Sequence, residues 1–230
     1  MKLFYTKDEY GKDILQNDDG DLQVMMEWEK PYMEKCIEKL APRGSVLEIG
    51  YGFGYSARAL CNNPNITEYT VIECSPNVWE KMEEFKKDYT HIPINLVKGR
   101  WQDVLQLCKK YDTVFFDDYG TSVLDFNRFN KFLYEILKEH SNIGCKIGNY
   151  STTNIIDDKL LLSESISCNM FEINTIIPDN CIYARGGQMF MPLIEKKKEL
   201  NDKDDEELIK YLNSKVLKIG KNMILNNVAD

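Results

Sequence analysis

One glycine-rich stretch constrains what this chain can fold into more than any other feature of its sequence. The segment Ser45–Ser56 reads SVLEIGYGFGYS, so a short apolar run ends in three glycines spaced two residues apart, and the next residues, 57–60, suit a helix. A parallel strand that turns tightly into a helix has this pattern, because glycine adopts positive φ at little cost and lets a nucleotide-like ligand approach the backbone. An ordinary connection between a strand and a helix has the same local sequence, so the stretch alone leaves both interpretations open.

Apolar runs that end in polar residues recur along the chain and alternate with helical patterns. Besides the strand before the glycines, strands are predicted at 69–73, 94–98, 113–118, 142–150, 171–177 and 188–194, the last two as an antiparallel hairpin at the sheet edge. This alternation predicts an α/β fold with a mostly parallel, seven-stranded sheet and helices on both faces. Glu73 ends the second strand about 20 residues beyond the glycine turn, where an acidic side chain binds ribose hydroxyls in doubly wound folds.

Composition argues against several classes of partner. A chain of 230 residues suits one buried core, and a net charge of −8 without a basic block argues against a nucleic-acid partner. Seven cysteines are scattered singly and the two histidines lack metal-ligand spacing, which argues against a disulfide framework and a metal site. Neither a signal-peptide pattern nor an apolar run long enough to span a bilayer is visible, so we expect a cytoplasmic protein without membrane association.

The two ends of the chain differ from its centre. Residues 1–23 are polar and acidic, which predicts an arm or lid, and apolar residues at helical spacing over 24–40 predict an amphipathic helix. A charged run after residue 198 precedes a second amphipathic pattern. We therefore divide the chain into an N-terminal arm and helix (1–40), a central α/β domain (41–197) and a C-terminal segment (198–230).

The glycine spacing distinguishes between two classes of cofactor. The nicotinamide fingerprint G-x-G-x-x-G would put its third glycine at Tyr55, whose bulk would obstruct the pyrophosphate. The segment from Glu48 to Gly54 instead reads E-x-G-x-G-x-G, which resembles the first motif of class I S-adenosylmethionine-dependent methyltransferases. This resemblance implies a Rossmann-like methyltransferase fold, S-adenosyl-L-methionine as the cofactor and S-adenosyl-L-homocysteine as the product.

Longer matches extend the resemblance to one family. The matching blocks are VMMEWEKPYM (24–33), VLEIGYG (46–52), VIEC (71–74), KGRWQDV (98–104), YDTVFFDDY (111–119) and QMFMPLI (188–194). In this order they resemble the guanidinoacetate N-methyltransferase family. The W-E-x-P-Y-M and K-G-x-W-x-D-V blocks are the specific ones, since the glycine motif is shared far more widely.

The resemblance implies a cofactor site residue by residue. Met25 and Met33 would flank the cofactor, and the turn with Glu48, Gly50, Gly52 and Gly54 would pass its amino-acid end. Glu73 would bind the ribose, and the adenine would lie among Cys74, Arg100 and Trp101. Asp117 would close the site.

An acceptor site follows from the same resemblance. It implies that a guanidino group lies between Glu29 and Asp117, with Asp117 as the principal base, and that the backbone at Tyr150 and Ser151 receives the acceptor's carboxylate. Two carboxylates suit this chemistry, because they accept forked hydrogen bonds from the planar group and help to remove a proton from the attacking nitrogen. Tyr119 is a further candidate for contact with the acceptor. Taken alone, Glu29 has an alternative interpretation, an exposed helix-start carboxylate favoured by the helix dipole.

Three departures from the family pattern leave alternatives open. The sequence after the fifth strand is Gly148–Thr152, the segment after Asp117 lacks the family's proline, and the residues after 198 have no counterpart. A second hypothesis therefore keeps the methyl donor but changes the acceptor to arginine, a guanidine-bearing natural product, or an amine or carboxylate of a small molecule or short peptide, which includes O-methylation. A third hypothesis is a cofactor-binding protein without catalysis. The C-terminal helix could pack on the domain, hold a longer substrate or form a homodimer.

Overall fold

A computed structural model describes residues 2–118 and 128–213. The strands of these residues are β1 (Leu3–Lys7), β2 (Asp13–Asn17), β3 (Gln23–Met26), β4 (Gly44–Ile49), β5 (Ile66–Glu73), β6 (Ile94–Lys98), β7 (Tyr111–Phe116), β8 (Ser141–Asn149), β9 (Ile166–Asn174) and β10 (Gln188–Lys196). The helices are α1 (Glu29–Leu40), α2 (Tyr55–Cys61), α3 (Pro76–Asp88), α4 (Trp101–Val104), α5 (Arg128–Glu135), α6 (Asp158–Leu162) and α7 (Glu206–Leu212). A 3₁₀ turn (Leu105–Leu107) follows α4, and a π-helical turn (Ile136–His140) follows α5.

Seven of the described strands form one sheet, in the order β6-β5-β4-β7-β8-β10-β9. Strands β4 to β8 are parallel, and β10 runs antiparallel to β8 and β9. This confirms the predicted α/β fold and its antiparallel edge. Ile49 pairs with Ile72 on one side and Phe116 on the other, so β4, β5 and β7 end together. Consequently Gly50, Glu73 and Asp117 emerge at the same edge of the sheet, where open α/β folds bind ligands.

The central strands are buried on both faces. Val46, Val71 and Phe115 belong to the hydrophobic cluster that includes α1, α2 and α3, whereas Leu47 and Val114 belong to the cluster that includes α5 and α7. A strand covered on both sides needs apolar residues at successive positions, which explains the continuous apolar runs of the sequence.

The N-terminal region forms a second sheet, of three antiparallel strands in the order β1-β2-β3. Leu15 pairs with Met25 and Ile14 with Met26, and these side chains join the same cluster as α1. The prediction of a helix from residue 24 is therefore wrong over its first part, because β3 pairs with β2 and α1 begins only at Glu29. The polar segment 1–23 likewise forms two strands and part of a third, and we call the whole unit the N-terminal sheet.

The structure also departs from the sequence-based prediction near the C-terminal end of the described residues. The structure adds α6, which the sequence pattern does not predict, and Asp157 caps it by accepting the N–H of Lys159 at 2.9 Å. The predicted C-terminal helix is present as α7, and its later residues lie outside the described ranges. Within residues 2–118 and 128–213, no helix is both long enough and apolar enough to cross a membrane.

Candidate active site

A cavity of about 320 Å³ opens at the carboxyl ends of β4, β5 and β7. That volume falls within the range of small-molecule sites, roughly 300–1,000 Å³. The predicted cofactor residues that line it are Met25, Gly50, Gly52, Glu73, Cys74, Arg100, Trp101 and Asp117. Leu3, Leu15 and Val24 of the N-terminal sheet complete one wall. The region predicted as a polar arm thus supplies an apolar side of the cavity.

The glycine turn brings two strand ends into contact. Gly50 has a φ of 83°, and a β carbon there would lie 2.1 Å from the backbone oxygen of Asp117. The N–H of Asp117 donates to the carbonyl of Ile49 at 2.9 Å. Only glycine allows this approach, because any side chain would separate the end of β4 from Asp117.

Gly52 continues the turn at a φ of 53°. Its carbonyl accepts a hydrogen bond from the hydroxyl of Tyr5 in β1 at 2.7 Å, which ties the N-terminal sheet to the turn. The N–H of Phe53 donates to the thioether sulfur of Met25 at 3.3 Å. Contacts with Tyr5 and Met25 of the N-terminal sheet therefore hold the glycine turn in place.

Three predicted cofactor residues do not line the cavity. Gly54 precedes α2 at a φ of 68°, where a β carbon would meet the ring of Tyr51 at 2.5 Å. Met33 is fully buried in the core of α1. Glu48, also fully buried, accepts hydrogen bonds from the hydroxyls of Ser56 and Tyr69, and burial raises its pKa to about 8. In this geometry Glu48 joins β4 to α2 and β5 beneath the turn.

Glu73 presents a carboxylate to the cavity from the end of β5. One oxygen accepts the N–H of Ser75 at 2.7 Å and the other accepts the N–H of Tyr51 at 3.0 Å. Burial raises the pKa of Glu73, and these amide donors oppose the rise. Each oxygen keeps acceptor capacity for one further donor, which suits the vicinal hydroxyls of a ribose. The acceptor atoms at this end of the cavity therefore fit the hydroxyl groups of a nucleoside.

A second side of the cavity carries Cys74, Arg100 and Trp101. The indole N–H of Trp101 donates to the carboxylate of Asp118 at 2.8 Å, and Arg128 donates to the Asp118 backbone oxygen at 2.5 Å. Asp118 and Arg128 also form an ion pair and line the cavity. The sequence patterns above do not indicate either residue as part of the site; for Asp118 the available signal is its place directly after Asp117 at a strand end.

Glu29 and Asp117 are the two carboxylates predicted to bind the methyl acceptor, and they are called the acceptor pair below. Glu29 begins α1 and is 2% exposed, so the alternative of an exposed helix-start carboxylate is wrong. Burial and the charge of Asp117 raise the pKa of Glu29 to about 8. Burial and the charges of Asp118 and Glu73 raise the pKa of Asp117 to about 7. Neither carboxylate forms an ion pair in the described part of the chain.

The backbone groups assigned to the acceptor's carboxylate are already bonded. The N–H of Tyr150 donates to the carbonyl of Phe116 at 3.2 Å, and the N–H of Ser151 donates to the carbonyl of Phe190 at 3.1 Å. Both amides would have to exchange these bonds to receive a carboxylate. Tyr119 lies outside the described residues.

Comparisons with known proteins agree with this geometry. The profile of the guanidinoacetate N-methyltransferase family matches residues 13–162. Protein arginine N-methyltransferase 2 of Saccharomyces cerevisiae is 33% identical over 124 residues, which is 49% of this chain and 28% of that protein. The chain therefore spans less than a third of the length of this curated relative.

Solved structures share the fold at low sequence identity. Spermidine synthase of Thermotoga maritima has a TM-score of 0.55 at 16% identity, over 93% of this chain and 79% of that one. The O-methyltransferase TomG of Streptomyces achromogenes, solved with S-adenosylmethionine, has a TM-score of 0.51 at 15% identity, over 74% of this chain and 80% of that one.

No group of three metal-ligating side chains suited to a metal ion is found in the described ranges.

The cavity, its ribose-compatible carboxylate and its glycine turn fit S-adenosylmethionine, and the matched profile covers residues 13–162. The chain has a class I methyltransferase fold, and it belongs to the guanidinoacetate N-methyltransferase family.

Proposed function

We propose that this enzyme methylates a guanidino nitrogen, and that Glu29 and Asp117 bind the guanidinium. One observation supports the proposal: Asp117 lines the cofactor cavity and is near enough to the buried Glu29 for its charge to raise the Glu29 pKa, and neither carboxylate has an ion-pair partner among the described residues. A carboxylate with restricted access to water and other negative charges nearby is costly to ionise, which is why both pKa values are raised. A planar cation with several N–H donors satisfies both carboxylates at once.

The residues divide the work of the reaction. Bound S-adenosylmethionine supplies an electrophilic methyl group on its sulfonium sulfur. Glu29 and Asp117 orient one guanidino nitrogen by accepting its neighbours' N–H groups, and positioning of this kind is a large part of catalysis. Asp117 would accept the proton that the nitrogen loses when it takes the methyl group; the sulfur–methyl bond would break in the same step, with S-adenosylhomocysteine as the leaving group. The apolar wall of the N-terminal sheet excludes water from the cofactor side.

Two candidate acceptors, guanidinoacetate and an arginine side chain, differ in the part of the molecule beyond the guanidino group. Guanidinoacetate carries a carboxylate, and the amides of Tyr150 and Ser151 that would receive it already donate to carbonyl oxygens. The guanidino group of an arginine side chain needs no such partner close to the reacting nitrogen. The similarity to a protein arginine N-methyltransferase also favours this second candidate. We therefore keep both acceptors within the proposal.

A panel of acceptors tests the proposal directly. Guanidinoacetate, free arginine and an arginine-containing peptide are compared with amine, hydroxyl and carboxylate acceptors, and release of S-adenosylhomocysteine is measured. We expect turnover with at least one guanidino compound. Turnover confined to hydroxyl or carboxylate acceptors would show that the proposed acceptor class is wrong.

Two variants locate the chemistry. Asp117→Asn and Glu29→Gln keep the shape of each side chain and remove its charge. We expect a loss of turnover of 10²-fold or more for Asp117→Asn, in the usual range for a general base, and a rise in KM for Glu29→Gln. Asp103→Asn, an exposed aspartate in α4, is the matched control. Near-normal turnover by Asp117→Asn would contradict its assigned role.

Localisation and assembly belong to the same proposal. All seven cysteines are free, which supports a reducing compartment such as the cytoplasm. A homodimer and the lack of a nucleic-acid partner stay predictions.

A further inference from the structure

Tyr183 contacts Glu29 from a distant part of the chain. It lies in the connection between β9 and β10, and its hydroxyl donates to Oε1 of Glu29 at 2.5 Å. The backbone N–H of Met26 donates to the same oxygen at 2.8 Å. Among the described residues no hydrogen bond reaches Oε2. Glu29 is thus held by one oxygen and keeps the other for a further donor.

The position of Tyr183 is fixed by its neighbours. Its ring stacks on Trp28, with 6.2 Å between ring centroids and an interplanar angle of 29°. Gln23 in β3 donates to the carbonyl of Asn180 at 2.8 Å and accepts the N–H of Ile182 at 2.9 Å. A buried glutamine therefore anchors the connection immediately before Tyr183.

The two bonds also affect the charge of Glu29. Burial and Asp117 raise the pKa of this carboxyl, whereas the donated bonds from Tyr183 and Met26 lower it. A donor to a carboxylate stabilises its ionised form. Loss of the Tyr183 hydroxyl would therefore leave Glu29 protonated up to a higher pH.

Building on the guanidino acceptor proposed above, we infer that Tyr183 is a positioning residue of the acceptor site. Its hydroxyl fixes the Glu29 side chain by Oε1, so that Oε2 is directed to the acceptor. This role differs from that of Asp117, because Tyr183 acts through Glu29.

The substitution Tyr183→Phe tests this inference, because it removes only the hydroxyl oxygen. In Tyr183→Phe we expect kcat/KM for the guanidino acceptor to fall about tenfold, as for loss of a hydrogen bond to a charged group, and the acidic limb of its pH profile to move to higher pH. Cofactor affinity, measured by calorimetry, should stay unchanged. Tyr10→Phe is the matched control, because Tyr10 is 62% exposed. A wild-type kcat/KM and pH profile in Tyr183→Phe would overturn the inference.

A second measurement separates this inference from the proposed function. Titration of the Glu29 carboxyl by carbon NMR, in protein labelled at glutamate, needs no turnover. We expect a higher Glu29 pKa in Tyr183→Phe, and also in Gln23→Met, which releases the connection but keeps the phenol. An unchanged Glu29 titration in both variants would overturn the inference. If the wild-type enzyme methylates no guanidine, the proposed function fails, and the titration still decides the role of Tyr183.

Discussion

Gly52 and Met25 approach each other so closely that a β carbon on residue 52 would lie 2.6 Å from the sulfur of Met25. That sulfur also accepts the N–H of Phe53, so it is not free to move aside without loss of a contact. Met25 lines the cofactor cavity. Any side chain at position 52 therefore disturbs a cavity wall.

We expect Gly52→Ala to weaken binding of S-adenosylmethionine by tenfold or more, measured by calorimetry. Gly11→Ala is a matched control, because Gly11 also has a positive φ, 74°, but no atom lies within 4 Å of its added β carbon. Both variants carry the backbone strain of alanine at positive φ, and only Gly52→Ala fills space at the cavity. Equal cofactor affinity in the two variants would contradict the placement of the site.

The acidic limb of the pH profile should reflect the carboxylate pair. In the ligand-free enzyme the pKa values of Asp117 and Glu29 are raised to about 7 and about 8. A cationic acceptor needs both groups ionised, and kcat/KM reports the free enzyme. We expect kcat/KM to fall as the pH drops from 8 towards 6, with a slope greater than one on logarithmic axes. A profile that is flat across this range would contradict the assignment.

The free energy of unfolding should change with pH in the direction opposite to that of kcat/KM. Below about pH 7 the folded protein keeps protons on Glu29 and Asp117 that the unfolded chain has already released, so the free energy of unfolding falls as the pH rises from 5 to 8. Asp117→Asn removes one buried charge and also lowers the pKa of Glu29. We expect this variant to be more stable than wild type at pH 8, by about 1 kcal/mol or more, and the difference to shrink at pH 5. Urea unfolding at both pH values measures it, with Asp103→Asn as the control.

The hydroxyl of Tyr150 is buried without a hydrogen-bond partner among the described residues. Its pKa is raised by burial and by the charges of Glu29 and Asp117. An unsatisfied buried polar group costs roughly 1–3 kcal/mol. We expect Tyr150→Phe to raise the free energy of unfolding by about 1 kcal/mol in urea titrations at neutral pH. A lower stability would show that the hydroxyl has a partner in solution.

Local patterns predicted the central part of the molecule. The strand before Gly50 and the strands that end at Glu73 and Lys98 follow from apolar runs that a doubly covered sheet requires. The carboxylate positions follow from the parallel arrangement, because parallel strands end at a common edge. Fold class and cavity edge were therefore accessible from neighbouring residues alone.

Pairings between distant segments were not accessible in this way. The N-terminal sheet depends on contacts such as Leu15 with Met25, and its short strands carry too few apolar residues to distinguish them from a polar arm. Tyr183 meets Glu29 across 154 residues of sequence. Nothing local to a loop tyrosine indicates such a partner.

The N-terminal sheet contacts two parts of the site: Tyr5 donates to the carbonyl of Gly52 beside the cofactor cavity, and Gln23 anchors the connection that carries Tyr183 beside the proposed acceptor pair. One small unit is thus shared by the cofactor cavity and the proposed acceptor site. Any displacement of this unit by one substrate changes the affinity for the other, and by thermodynamic linkage the factor is the same in both directions. The three strands of the N-terminal sheet therefore connect the two parts of the site, a role that the glycine turn alone does not have.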